Sequence, residues 1–307
     1  MREIFKKLGD GLESPARRKT KEREFLRVAL IQEPWHGNVA KQKTEIKSAI
    51  DEIKDDAPDL IILSELTLYS YACTRPDAQA IFQPEPLLGS SFNFAQSLAY
   101  EFNSAVLISL YEADESGKFN TAIVVNPVGN LISKTRKSHL PVTAGYYEDK
   151  YFDLGDSKPT IVEINSAKVG TPTCWDQWFP ELAREYGLLN ADLVCYPTAI
   201  GSEPDFPEFN TEPLWRQTMV AHGIANGFFV AAVNRIGTED GVTFYGSSFI
   251  SDPYGRIIVQ AGRSQPAVIV ADLDLDQKRD WLELFPFFRT RRPDLYQSIT
   301  KKDLPTP

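Results

Sequence analysis

Three residues with complementary chemistry, Glu65, Lys137 and Cys174, each stand at the end of a predicted strand. Glu65 directly follows the apolar run LIILS, which places a carboxylate at the carboxyl end of a buried strand, a usual location of α/β active sites. A carboxylate there can serve as a general base, and a carboxylate bonded to loop amides is the structural alternative. Lys137 closes the run LISKTRK, where Lys134 and Arg136 offer a surface charge cluster as the alternative.

Cys174 lies between a strand-like run and a predicted helix, at a strand-to-helix turn. Such a turn lifts a nucleophile above the sheet, and a helix start favours the thiolate. The alternative is a buried structural cysteine, which is our interpretation of Cys195 inside the apolar run ADLVCYP and of Cys73.

Histidine is the habitual base for a thiol, so His139 and His222 are further candidates. None of the histidines has the spacing to another histidine or to a cysteine pair that local zinc sites use. We therefore predict no metal site.

Composition limits the possible partners. The 307 residues carry 33 basic and 42 acidic side chains, a net charge of -9, which disfavours nucleic acid and anionic membranes. Three cysteines do not make a disulfide framework in a chain of this size. The amino-terminal stretch has no apolar core of a signal peptide, and no stretch approaches the roughly 18 apolar residues of a membrane span. We expect a cytoplasmic protein with a small-molecule substrate.

Short β-rich runs alternate with helical patterns from residue 26 onward, which predicts an α/β fold with helices outside the sheets. Strands are expected over 26–32, 59–66, 104–111 and 191–198, and helices over 39–53, 181–190 and 211–227. Hairpins are expected over 121–137, with a Pro-Val-Gly-Asn turn, and over 160–174. Further β runs follow at 228–235, at 242–250 and in the two apolar runs before residue 275.

The first 25 residues differ in charge from the rest. They hold eight basic and five acidic residues, so 8 − 5 gives +3, within a chain of net charge -9. We predict a solvated, charged extension over 1–25, with a docking arm on an acidic partner subunit as the alternative. Residues 26–307 are predicted to form one domain with a carboxyl-terminal tail from about residue 285.

Several long segments resemble the nitrilase superfamily of carbon–nitrogen hydrolases, in particular its N-carbamoylputrescine amidase and β-ureidopropionase branch. The resemblance covers nearly all of residues 26–298. The segments that carry it are RKSHLPVTAGYYEDKYFDLGD (136–156), CWDQWFPELAR (174–184), YPTAIGSEP (196–204), NRIGTE (234–239), TFYGSSFI (243–250) and RRPDLY (291–296).

The resemblance implies a role for each candidate. Cys174 becomes the nucleophile, which forms a carbamoyl intermediate, and Glu65 the general base and later acid. Lys137 and the backbone N–H of Trp175 stabilise the oxyanion, and Glu148 matches a second glutamate that positions the lysine and the substrate. No cofactor is implied. The implied fold is a four-layer α-β-β-α sandwich, in homo-oligomers where the tail reaches over a neighbouring subunit.

Substrate choice is predicted from charge. Relatives that act on carbamoyl amino acids have arginines shortly after the nucleophile, where this chain has Asp176 and Gln177. The loop 201–213, with Glu203, is acidic and suits an ammonium group, although a solvated acidic face is the alternative. We therefore expect hydrolysis of N-carbamoylputrescine to putrescine, a step of polyamine biosynthesis. The alternatives are a β-ureidopropionase or another N-carbamoyl amino acid or aliphatic amide hydrolase, and more remotely a nitrilase or an inactive scaffold homologue.

Overall fold

The computed structural model of the chain describes residues 1–9, 12–77, 83–156 and 158–301. The helices in these ranges are α1 (Val39–Asp51), α2 (Ser90–Phe102), α3 (Pro180–Leu188), α4 (Glu212–Asn226) and α5 (Asp276–Leu284). The strands before residue 150 are β1 (Glu3–Lys7), β2 (Leu26–Gln32), β3 (Leu60–Leu63), β4 (Ala105–Asp114), β5 (Gly117–Val125), β6 (Leu131–Arg136), β7 (Val142–Thr143) and β8 (Tyr146–Tyr147). Those after it are β9 (Ile161–Ile164), β10 (Ala167–Gly170), β11 (Leu193–Pro197), β12 (Phe229–Val233), β13 (Ile236–Glu239), β14 (Val242–Tyr245), β15 (Phe249–Ser251), β16 (Ile257–Gln260) and β17 (Ala267–Leu273).

Two large sheets carry most of these strands. One sheet has the order β1-β17-β2-β3-β4-β5-β6, and the other has the order β16-β15-β12-β11-β10-β9. Strands β2, β3 and β4 run parallel in the first sheet, as do β10, β11 and β12 in the second. Strand β6 shares the direction of β4 because both pair antiparallel with β5. The carboxyl ends of these strands supply the loops of the candidate site.

The core lies in three apolar layers. Side chains such as Leu30 and Leu193 pack between the two sheets. The outer face of the first sheet is covered by α1 and α2 through residues such as Ile50 and Leu98. The outer face of the second is covered by α3 and α4 through residues such as Trp215. The predicted four-layer α-β-β-α sandwich is confirmed.

Local signals place the ends of several elements. Helix α1 begins after Asn38, whose side chain accepts a hydrogen bond from the N–H of Lys41. Helix α4 ends at Gly227, where φ is +70° and an added Cβ would lie 2.7 Å from the side chain of Leu282. Glycine is required there because other residues seldom adopt this backbone conformation in so close a contact. The predicted helix end at Gly227 is confirmed.

The predicted hairpin over 121–137 is confirmed as β5 and β6. Its turn is closed by Asn126, whose N–H donates to Asn130 O and whose O accepts from Gly129 N–H. The hairpin register brings Lys137 N–H to Asn120 O at 2.8 Å, which sets Lys137 at the sheet edge. The run 242–250 is not one strand as predicted, because positive φ angles at residues 246 and 247 separate β14 from β15.

The prediction of a solvated extension over 1–25 is wrong for much of that segment. Strand β1 pairs parallel with β17 and forms the edge of the seven-stranded sheet. Further along, Arg17 binds Asp274 and Asp280 at 2.7 and 3.0 Å, and Arg23 binds Asp192 through two hydrogen bonds. The acidic partner of these basic residues is thus the same chain, and a charge count could not reveal it because those partners lie far along the sequence.

The tail after residue 285 continues into two short 3-10 turns, Pro293–Leu295 and Gln297–Thr300. Together with α3 and α4 it lines an open cavity of about 650 Å³. Its reach over a neighbouring subunit stays a prediction. In the described ranges, the structure has no helix that is long and apolar enough to cross a membrane.

Candidate active site

Loops from both sheets meet at one edge of the sandwich. Glu65 follows β3 closely, Lys137 directly follows β6, and Cys174 lies in the loop after β10. Glu148 begins a 3-10 turn that follows β8. The structure thus brings together the four residues that the sequence and the resemblance selected for catalysis.

Lys137 lies between the two carboxylates. Its Nζ is 2.8 Å from Glu65 Oε1 and 2.6 Å from Glu148 Oε2, and all three side chains are fully buried. Glu65 Oε1 also accepts a hydrogen bond from Asn120 Nδ2 at 2.7 Å. Glu65 Oε2 is buried and has no hydrogen-bond partner among the described residues. This oxygen is therefore the one available to take a proton.

Burial and mutual charge shape the pKa values of the cluster. Burial acts to lower the pKa of Lys137, but the charges of Glu148 and Glu65 outweigh it and raise that pKa well above its usual value. Burial and the charge of Glu65 raise the pKa of Glu148 to about 7, against the opposing effect of Lys137. The cluster therefore holds a permanent ammonium beside a carboxylate that titrates near neutrality.

Cys174 has an unusual backbone conformation, with φ at +43°, and begins the short 3-10 turn Cys174–Trp178. Left-handed backbone at a residue other than glycine is costly and is found often at functional sites. Burial and the charge of Glu65 raise the pKa of the Cys174 thiol well above its usual value, although Lys137 acts to lower it. The raised pKa favours the neutral thiol, so Cys174 needs a base at the moment of attack, the role that the resemblance implies for Glu65.

Asp176 and Gln177, which the sequence analysis assigned to substrate selection, are buried and bind other parts of the protein. Asp176 accepts hydrogen bonds from the backbone N–H groups of Ser138, His139 and Thr173, so it ties the loop after Lys137 to the turn that carries Cys174. Gln177 Oε1 accepts a hydrogen bond from Trp215 Nε1 at 2.8 Å. Both side chains are buried because the turn directs them into the protein, which residue type and order alone did not show.

A cavity of about 130 Å³ opens onto Cys174, smaller than the roughly 300–1,000 Å³ of typical ligand clefts. Trp175 and Glu203 line it, and their contact with substrate stays a prediction. Among the described residues of its wall, Glu203 is the one acidic or basic side chain. Burial raises the pKa of Glu203, whose Oε1 accepts a hydrogen bond from Thr211 at 3.2 Å. The remaining lining residues are Pro141, Thr143, Tyr146, Cys174, Trp178, Ala199, Ile200, Thr211 and Leu214.

The chain is similar to known proteins over most of its length. Residues 27–282 match the carbon-nitrogen hydrolase family, which is most of the chain. The chain belongs to the carbon-nitrogen hydrolase family. The resemblance predicted from the sequence is confirmed, and the chain is a hydrolase of C–N bonds.

Three relatives of this hydrolase illustrate the range of the family. A citrullinase from Francisella tularensis is 33% identical, over 90% of this chain and 99% of that protein. An N-carbamoylputrescine amidase from Solanum tuberosum is 34% identical, over 90% of this chain and 95% of that protein. The crystal structure of a carbon-nitrogen hydrolase from Helicobacter pylori matches this chain with a TM-score of 0.84 and 29% identity. The match covers 91% of this chain and 100% of that chain.

Cys73 is buried near the cluster of Lys137, where burial and the charge of Glu148 raise its pKa. Cys195, His139 and His222 of this hydrolase have other contacts. Cys195 is packed in the apolar layer between the sheets, where burial raises its pKa. His139 Nδ1 is 2.8 Å from Asp176 Oδ1, and His222 Nε2 is 3.0 Å from Gln177 O. Burial lowers the pKa of His222. Within the described residues, no group of three or more His, Cys, Asp or Glu side chains could hold a metal ion.

Sequence reasoning missed three polar side chains of the site. Asn120 binds Glu65, and Tyr71 Oη donates to Glu148 Oε1 at 2.7 Å. Tyr146 lines the cavity, and its hydroxyl accepts a hydrogen bond from Gly201 N–H at 2.8 Å. No local signal marked these residues, because each acts on a partner that lies far away in sequence.

Proposed function

We propose that this carbon-nitrogen hydrolase converts N-carbamoylputrescine and water into putrescine, carbon dioxide and ammonia. The observation that carries the proposal is the buried cluster of Lys137 and Glu65, whose Oε2 has no hydrogen-bond partner among the described residues. The charges of both residues act on the Cys174 thiol, and Cys174 and Glu203 line the same narrow cavity. The reaction belongs to polyamine biosynthesis.

The first half of the reaction forms a covalent intermediate. Glu65 Oε2 takes the thiol proton as Cys174 Sγ attacks the ureido carbon, because the neutral thiol is a weak nucleophile. The tetrahedral oxygen is stabilised by the Lys137 ammonium and by the N–H of Trp175, which lies in the first turn of a helix and so has no partner within it. Glu65 returns the proton to the leaving nitrogen, and ammonia departs from the Cys174 carbamoyl intermediate.

The second half uses the same groups with water. Glu65 removes a proton from water, which attacks the thioester-like carbon, and the Cys174 thiolate leaves and recovers that proton. The product carbamate loses carbon dioxide to give the free amine. One water is consumed for each ammonia released.

Substrate selection rests on Glu203. Glu203 is half-buried and has no cationic partner among the described residues, so an ammonium end group gains from pairing with it and a carboxylate end group is repelled. N-Carbamoylputrescine carries only the ammonium. Citrulline is the second candidate, because of the identity to a citrullinase, but it brings a carboxylate as well as an ammonium to the same wall.

The test is an ammonia-release assay with N-carbamoylputrescine, citrulline, N-carbamoyl-β-alanine, a simple aliphatic amide and a nitrile. We expect kcat/KM to favour N-carbamoylputrescine over N-carbamoyl-β-alanine by about 10- to 100-fold, a preference that shrinks as salt rises. Glu203→Gln should erode the preference through a higher KM for the amine substrate, with Glu208→Gln, an exposed carboxylate of the same loop, as the matched control. A wild-type preference for the carboxylate substrate refutes the substrate assignment and leaves the catalytic residues in place.

A further inference from the structure

Two adjacent buried side chains follow β12 and lie outside the reacting cluster. Asn234 accepts the N–H of Ile200 through Oδ1 at 3.0 Å and donates to Ile200 O at 2.9 Å, so it fixes one wall of the cavity. Arg235, which is 2% exposed, points to the other side of the site. Neither residue contributes to the cavity lining.

The guanidinium of Arg235 organises the backbone behind Glu65. Its Nη2 donates to the carbonyl oxygens of Glu65, Leu66 and Tyr69 at 2.9, 3.1 and 3.2 Å. Leu66 has a left-handed backbone, with φ at +48°. Such a conformation persists in a residue other than glycine only where its surroundings enforce it. Here the hydrogen bonds from the Arg235 guanidinium hold the carbonyl groups of that turn in place.

Glu239 balances the charge of Arg235 and extends the contact. Its Oε1 accepts from Arg235 Nη1 at 2.7 Å, and its Oε2 accepts from the backbone N–H of Tyr71 at 2.7 Å. The hydroxyl of Tyr71 in turn donates to Glu148 Oε1. Since Glu148 and Glu65 both bind Lys137, the contacts form a closed ring that joins the two carboxylates by a second route.

We propose that Arg235 and Glu239 are positioning residues, which set the places of Glu65 and Glu148 around Lys137. The inference rests on the proposed roles of Glu65 and Cys174. Arginine suits the position because its planar fork can serve backbone carbonyls and a carboxylate at once, which a single ammonium cannot do with the same geometry. The motif NRIGTE, which carried part of the resemblance, thereby gains a physical function.

The experiment compares Glu239→Gln, Arg235→Lys and Tyr71→Phe with the matched control Asp240→Asn. Asp240 is the next residue after Glu239, but its carboxylate is 43% exposed and forms a surface ion pair with Arg75. Four quantities are measured on each full-length variant: kcat, KM, the pH–rate profile, and the rate at which iodoacetamide alkylates Cys174. Mass spectrometry identifies the labelled cysteine, and circular dichroism reports folding.

We expect Glu239→Gln and Arg235→Lys to lower kcat by about 10- to 100-fold with KM changed by less than about threefold, since misplacing a reacting group costs rate rather than binding. The alkylation rate should fall and its pH dependence should move, because both depend on how Glu65 faces the thiol. Tyr71→Phe should lower kcat by about tenfold, and the double variant Tyr71→Phe/Glu239→Gln should lose less than the product of the two single losses. Asp240→Asn should match the wild type.

Unchanged kcat, alkylation rate and pH profile in a folded Glu239→Gln variant would overturn the proposal, even if its melting temperature fell. A rise in KM alone would also overturn it, because it would make Glu239 a substrate contact. If Glu239→Gln does not fold, Arg235→Lys decides, since it keeps the positive charge and changes only the geometry of its contacts. The alkylation arm needs no substrate, so a failure to find any hydrolysed ureide tests the proposed function separately from the positioning role.

Discussion

Lys137 and Lys278 are both buried lysines, and they lie at opposite ends of the two sheets. Lys137 has two carboxylates within 2.8 Å, and its pKa is raised because their charge outweighs burial. Lys278 donates to Asn190 O and Ala191 O at 2.7 Å and meets the carboxylate of Asp192 only at 3.4 Å. Burial therefore prevails there and lowers the pKa of Lys278 to about 8.

The carboxylates near the two lysines differ in how completely they are hydrogen-bonded. Near Lys278, the carboxylate of Asp192 accepts hydrogen bonds from the Arg23 side chain and from the backbone N–H of Lys168. Around Lys137, Glu65 Oε2 has no partner among the described residues, and nearby Cys174 holds a left-handed backbone. A buried charge is costly unless it is fully paired, so an incompletely paired cluster indicates a group kept ready for a reaction. The same residue type thus lies in a satisfied structural contact at one end and in a cluster kept ready for chemistry at the other.

The largest expected effect falls on the nucleophile. Cys174→Ser should lower kcat by at least about three orders of magnitude with an unchanged fold, because the hydroxyl is too weakly acidic for a carboxylate to activate. Ammonia release and circular dichroism measure the two quantities. In the wild type, iodoacetamide should label Cys174 before the enclosed Cys195. Equal turnover by the serine variant, or earlier labelling of Cys195, would remove Cys174 from its role.

The comparison of the lysines is tested directly by replacing each one. Lys137→Ala should lower kcat by at least about two orders of magnitude, the usual cost of losing an oxyanion donor, and Glu65→Gln should do the same. Lys278→Met should leave kcat within about twofold of the wild type, because it alters a contact at the far end of the sheets. A rise in KM alone in Lys137→Ala would mean that Lys137 does not stabilise the oxyanion. An equal loss of kcat in Lys278→Met would mean that catalysis does not distinguish the two lysines.

A third, smaller effect concerns the pH dependence of the active-site cluster. Glu148, with its pKa raised to about 7, gains a proton as pH falls through that value and loses the charge that holds Lys137. We expect kcat to decline by about tenfold below pH 7 in the wild type. Glu148→Gln should have a low kcat that no longer declines over this range. A decline of equal size in the variant would assign the titration to another group.

The sequence predicted the strand ends that carry Glu65, Lys137 and Cys174, because apolar runs and the residues that follow them are local features. Glu148 required the resemblance, since nothing in its own segment indicates burial. The contacts of Asp176 and of the amino-terminal strand β1 could not be predicted because their partners lie far along the chain. A charged residue in a sequence does not reveal which partner it binds. The ring of contacts through Arg235, Glu239 and Tyr71 could not be predicted either, because these residues also bind partners far along the chain.

The smallest expected effect on catalysis, and the clearest on stability, is the pH dependence due to Lys278. Its folded-state pKa of about 8 lies below the usual value of 10.5, so between these pH values the unfolded chain binds more protons than the folded one. The free energy of unfolding should therefore rise from pH 8 to pH 10.5, and the full penalty applies below pH 8. The contribution is at most about 3.5 kcal/mol, since each pKa unit corresponds to roughly 1.4 kcal/mol. Urea unfolding of the wild type and of Lys278→Met, compared at matched pH, isolates this contribution from other groups that titrate there. The difference between the two proteins should change with pH in that window, in favour of the wild type as pH rises. A difference that stays constant would mean that Lys278 keeps its usual pKa, and that its contacts with Asp192 and the carbonyl groups outweigh burial as the carboxylates do for Lys137.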